Sequence, residues 1–212
     1  MLLIVWPGCW GNDDLNVLSL ARTLQMDAWQ HFLTSSAFIL SLMFVPIPGG
    51  VVLIQNLLIS AAVGCFAATA QDLTEKRLVR PVKPVWFAIV YLPFLLPPVL
   101  MHNQNPFRTT WSCWCELFLV FMLVAFYLRG TRLTRAELTA VVVLGALAAS
   151  WRSECVYYLA AIPVMLAVLC CKKLLRPLAL GAVTALILCG YMASSRYTSS
   201  LMGEAWQYQR IA

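Results

Sequence analysis

Residues 51–70 read VVLIQNLLISAAVGCFAATA, twenty residues without a charge, and Lys76, Arg77, Arg80 and Lys83 follow closely. A helix of about 20 apolar residues crosses the roughly 30 Å hydrocarbon core of a bilayer. Helix is the default there, because lipid offers backbone N–H and C=O groups no partners. A cation cluster just beyond such a run marks a cytoplasmic loop. This stretch therefore sets one inward crossing, and the rest of the chain threads from it.

Composition agrees with that start. Apolar residues make up 61% of the 212 and charged residues 11%, against about 45–50% and about 25% in soluble domains. With a mean hydropathy of +0.79, too few polar residues remain to cover a water-facing globule. The short in/out alternation of a β-barrel is absent. The net charge of +6 does not point to nucleic acid, since the cations sit in short clusters between apolar runs. Eight cysteines are scattered with neither CxxC nor zinc spacing and read as small apolar side chains. Any disulfide would fall among Cys9, Cys113, Cys115 and Cys155.

Two further clusters, Arg129, Arg132 and Arg135, then Lys172, Lys173 and Arg176, are placed with the first in the cytoplasm. The spacing then predicts Pro84 to Leu100 outward, Ser112 to Leu128 inward, Ala136 to Ala149 outward, Cys155 to Cys171 inward and Pro177 to Ala193 outward. With 51–70 this makes six crossings between 51 and 193, and 194–212 lies outside. His31 to Val45 is too short to cross and reads as a half-inserted helix in an outer segment, 7–50. In that segment Leu15, Leu18, Leu20 and Leu24 give Asp14 to Met26 an amphipathic face lying flat on the membrane. MLLIVW lacks a basic n-region and a cleavage site; it reads as the tail of a first helix. GEAWQYQRIA ends in polar sequence, so the chain reads as a fragment. The expectation is an all-α polytopic membrane protein, a single membrane domain over 1–212 with about six transmembrane helices, a partial first helix and an outer juxtamembrane segment.

The functional candidates lie on the outer side. Asp13 and Asp14 follow the Pro7-Gly8 break. One of them, or Asn12, would cap the following helix, and the other reading is a base or a ligand for a divalent ion. Neighbours on a helix do not face the same way, so one of the pair points at chemistry. Arg152 and Glu154 form either an exposed ion pair of small worth or a phosphate fork at a cavity. His31 is a hydrogen-bonded structural residue or a substrate contact. His102, Asn103, Gln104, Asn105 and Arg108 make the most polar outer loop, facing solvent or a sugar. Trp6, Trp10, Trp29, Trp111 and Trp114 fall where an interfacial aromatic belt belongs.

PGCWGNDD (7–14), DAWQHFLTS (27–35), NPFRTTW (105–111) and ASWRSECVYYL (149–159) together resemble the multi-span GT-C-type glycosyltransferases, particularly bacterial members attached to envelope-polysaccharide synthesis. Phe32 and Leu33 stand where such relatives carry prolines after the histidine. The resemblance implies a polyprenyl-phosphate-linked sugar as donor and an envelope glycan as acceptor, at the outer face of a bacterial plasma membrane. It matches Asp13 to the acid of the first loop, base or metal ligand, with Asp14 its neighbour, and His31 and Arg152 to substrate-side residues; Glu154 and Arg108 join them as substrate-binding candidates. A lipid-linked glycan transporter and a non-catalytic assembly subunit are the rival readings.

Overall fold

A computed structural model describes residues 6, 8–27, 30–106 and 108–209. The expected first-helix tail at 1–5 and Trp29 lie outside the described residues. Helices α1 (Asn12–Arg22), α2 (Phe32–Phe44) and α3 (Pro48–Leu78) are followed by a 3₁₀ segment (Pro84–Leu95), then α4 (Pro97–Asn103), α5 (Arg108–Arg129) and α6 (Arg135–Ser150). A 3₁₀ turn (Ser153–Tyr157) leads into α7 (Tyr158–Cys171), and α8 (Pro177–Gln209) closes the order. No strand occurs among the described residues.

Among the described residues four helices are long and apolar enough to cross a membrane: Pro48–Leu78, Arg108–Arg129, Glu154–Cys171 and Pro177–Leu201. The sequence reading has six, and two segments account for the difference. Residues 84–95 do not form an α-helix because Pro93 lies inside them and Pro97-Pro98 follow; each proline removes a donor and crowds the preceding turn. The chain nevertheless runs the length of α3 here. Val82 N–H donates to Glu75 Oε1 at 3.2 Å, while Gln55 Nε2 donates to the Asn103 carbonyl at 2.8 Å. Glu75 and Gln55 are about 30 Å apart along the helix. The second segment, α6, has 16 residues, or about 24 Å.

Helices α5 to α8 share one apolar core, in which Leu119, Leu123, Val141, Ile162, Leu166 and Ile187 are buried. Their outward faces stay apolar, as would suit a lipid-facing surface; Leu117, Val124, Val164 and Leu186 are exposed. The α6–α8 contact is a small-residue seam. A Cβ on Gly145 would stand 2.8 Å from Ile187 Cδ1, and one on Gly190 would stand 3.0 Å from Ala146 Cβ, so the backbones approach as only small residues permit.

A second, smaller core holds α1 against α2. Val17, Leu18 and Ala21 pack with Phe38 and Val51. The buried face of α1 is thus 14, 17, 18 and 21, which shares only Leu18 with the leucine series: Leu15 is exposed and Leu24, at φ +59°, is 70% exposed. The 3.6-residue period explains this, since 14, 17, 18 and 21 fall on one stripe. Asp14 is part of that stripe. Trp114, expected in the aromatic belt, is buried and serves packing, as does Trp151.

All three basic loops meet at one end. Arg129 pairs with Glu137 at the start of α6, a cavity wall joins Arg129 to Lys76 and Arg77, and Leu133 N–H donates to the Leu174 carbonyl at 3.2 Å. The candidate residues gather at the other end.

Candidate functional site

Of the acidic pair, Asp14 is 1% exposed and Asp13 faces solvent. Gly11 is the residue that caps α1, and its N–H donates to Asp14 Oδ2 at 3.1 Å. Asp14 Oδ1 is buried and has no hydrogen-bond partner. Burial pushes the Asp14 carboxyl above its ordinary value; the Gly11 bond opposes this and the nearby Asp13 charge adds to it. The two carboxylates thus sit in different surroundings, one buried and one exposed. No group of three or more His, Cys, Asp or Glu among the described residues is arranged to hold a metal ion.

His31 caps α2. Its Nδ1 accepts from Leu33 N–H at 3.3 Å, so Nε2 carries the proton and donates to Ser194 Oγ of α8 at 3.0 Å. Burial lowers its pKa to about 4. The ring is therefore neutral near pH 7 and fastens α2 to α8. Asp27 is buried close by, with its N–H bonded to Ser35 Oγ at 3.0 Å and its Oδ2 accepting from Asn16 at 3.3 Å.

NPFRTTW and SWRSEC, far apart in sequence, meet in space. Arg152 Nη1 donates to Thr109 Oγ1 at 3.1 Å, and its Nε donates to Glu154 Oε2 at 3.1 Å. Arg108 lies within electrostatic reach of Glu154. The Trp111 and Trp151 rings are parallel with centroids 6.1 Å apart, and Trp151 Nε1 donates to Thr34 Oγ1 of α2 at 3.2 Å. Two guanidiniums and one carboxylate thus share this corner. The Arg–Glu pair is half-open, since Arg152 is a quarter exposed and Glu154 is mostly exposed.

The polar loop is partly buried: His102 is exposed while its loop neighbours turn inward. Asn103 and Gln104 are buried. The Asn103 carbonyl accepts from Gln55 and Asn56, its Oδ1 accepts from Trp114 Nε1 at 3.0 Å, and the Gln104 carbonyl accepts from Cys9 N–H at 3.0 Å. The loop is the clamp that closes this end over α3.

Glu116 was passed over by the sequence reading. On α5 its Oε1 accepts from Ser112 at 3.2 Å and Cys155 at 3.1 Å, and its Oε2 accepts from Tyr158 at 3.1 Å. A lone acid inside the apolar run WSCWCELFLVF was the available signal. Asp27, and the pair Gln55-Asn56 within 51–70, were signals of the same kind. All eight cysteines are free thiols.

No protein-family model, curated protein or solved structure matches this chain. Chemistry at this end has to be argued from the residues alone.

Proposed function

We propose that the protein is a GT-C-like membrane glycosyltransferase, moving a sugar from a polyprenyl-phosphate donor to an envelope glycan at the outer face of a bacterial plasma membrane. In this reading the 84–100 traverse and α6 join the four long helices to make six crossings, and the Asp14 end faces outward. The observation that carries it is Asp14, a buried carboxyl with one oxygen satisfied and the other without a partner. A carboxyl whose proton affinity is raised by burial suits a general base. The acceptor hydroxyl oxygen bonds to the anomeric carbon and its proton passes to Asp14 Oδ1. The bond from that carbon to phosphate breaks, and polyprenyl phosphate leaves. Arg152 and Arg108 supply cations for the phosphate. Because Asp14 is 1% exposed, the first turn of α1 has to lift for the acceptor to reach it.

Mass spectrometry of lipid-linked and surface glycans tests this, comparing cells with the native protein, Asp14→Asn and Asp13→Asn at matched membrane levels. The expected result is donor accumulation and a missing sugar with Asp14→Asn only. Identical profiles for all three would return Asp14 to the role of a helix cap.

Glu116 favours a second reading, a transporter of lipid-linked glycan. A carboxylate among Ser112, Cys155 and Tyr158 inside an apolar helix is the type of group that carries coupled protons. Glu116→Gln would then stop glycan movement across the membrane while leaving any transfer activity intact.

A further inference from the structure

At the end opposite Asp14, the bond from Leu133 N–H to the Leu174 carbonyl draws two basic loops into one bowl. The cavity between them is about 550 Å³, and Arg132, Arg135, Lys173 and Arg176 line it with no carboxylate. Among the described residues none of the four forms an ion pair, whereas Arg129 and Lys76 nearby are neutralised by Glu137 and Asp72. The floor is apolar, with Leu138 of α6 and the buried Leu174. Leu178, the second residue of α8 and beside it in sequence, is 87% exposed.

Lys173 adds a local detail. It takes φ +59°, the left-handed region, directly after α7, while Leu174 N–H donates back to the Leu169 carbonyl at 3.0 Å. Such a helix end favours glycine. Here a lysine occupies it, and the turn sets an ammonium group at the rim.

We propose that this bowl binds the phosphate headgroup of an anionic membrane lipid. Four uncompensated cations select a phosphate over a zwitterionic surface. The apolar floor and the exposed Leu178 favour a headgroup that brings acyl chains over a free phosphate ion. The site is independent of the transferase reading: it lies at the other end and uses none of the same residues.

Native mass spectrometry of the purified full chain tests this, with phosphatidylglycerol, phosphatidylcholine and inorganic phosphate as probes. Phosphatidylglycerol should remain bound in preference to phosphatidylcholine, and millimolar inorganic phosphate should not displace it. Arg132→Gln with Arg176→Gln should lower its retention roughly tenfold or more. Arg80→Gln with Lys83→Gln, on the first basic loop, should leave it unchanged. Equal losses from the two double variants would mean a diffuse positive field rather than a site, and would overturn the proposal. Equal retention of phosphatidylcholine, or displacement by inorganic phosphate, would overturn it too. Should the Arg132/Arg176 variant not purify folded, Lys173→Gly relaxes the backbone while removing one cation. It should melt higher and hold the lipid less well; unchanged retention in that variant counts against the bowl.

Discussion

At the Asp14 end, side chains reach across long stretches of sequence: Gln55 to the Asn103 carbonyl, Thr34 to Trp151, His31 to Ser194. At the basic end, exposed cations stand on loops joined by the Leu133–Leu174 bond and the half-exposed Arg129–Glu137 pair. The first end is dry and polar, so each group depends on a particular partner. The second is wet and charged, so its groups are nearly interchangeable for stability while their shared field is not. Substitutions at the first end should cost stability, and those at the second should change what binds.

Trp151→Ala should give the largest effect. It empties a buried site, breaks the stack on Trp111 and removes the bond to Thr34, at about 3–5 kcal/mol, measured by SDS-titrated unfolding in micelles. Arg132→Ala at the other end should stay within about 0.5 kcal/mol of the native protein. A similar loss from both would erase the contrast. Thr34→Val keeps the shape and strands the Trp151 N–H, and should cost about 1–3 kcal/mol in the same titration.

Acid should act on the dry end through His31. Its folded pKa lies below the unfolded value, about 4 against 6.5, so the neutral ring contributes stability that is fully present above pH 6.5. As pH falls from 6.5 towards 4, the unfolded ring takes up a proton that the folded ring refuses, and stability declines. Allowing for the solvent that reaches the half-buried ring, the loss is about 1–2 kcal/mol. His31→Asn retains an acceptor for the cap and should flatten the pH dependence of melting over that window. A smaller effect, of opposite sign, belongs to Val79, which ends α3 at φ +53° and is 90% exposed. Val79→Gly should raise stability by about 0.5–1 kcal/mol, because a β-branched residue in the left-handed region is strained.

The basic loops and apolar runs were readable because charge clusters and length act over many residues. His31 as the boundary of α2 was readable too, but as an element edge rather than as a tie to Ser194, 163 residues away. That residues 84–95 form a 3₁₀ segment rather than an α-helix was not readable from apolar length, which takes no account of the donors that prolines remove. In the site, the sequence reading matched Asp13 to the acid of the first loop with Asp14 as its neighbour, and only the phase of α1 shows that Asp14 is the buried one. The meeting of Arg152 with Thr109 is a tertiary fact that neither motif carries by itself.

The α6–α8 seam meets through Gly145, Ile187, Ala146 and Gly190, and salt has no charge there to screen. Ionic strength therefore acts on the rims alone, weakening the attraction at the Arg132–Arg176 bowl and at the Arg152 corner. In a bilayer the seam would respond instead to the lipid, whose thickness and chain order set how closely two helices with only Ile187 and small residues between them are pressed. The spine between the two ends is thus set by packing, and only the exposed rims at either end answer to salt.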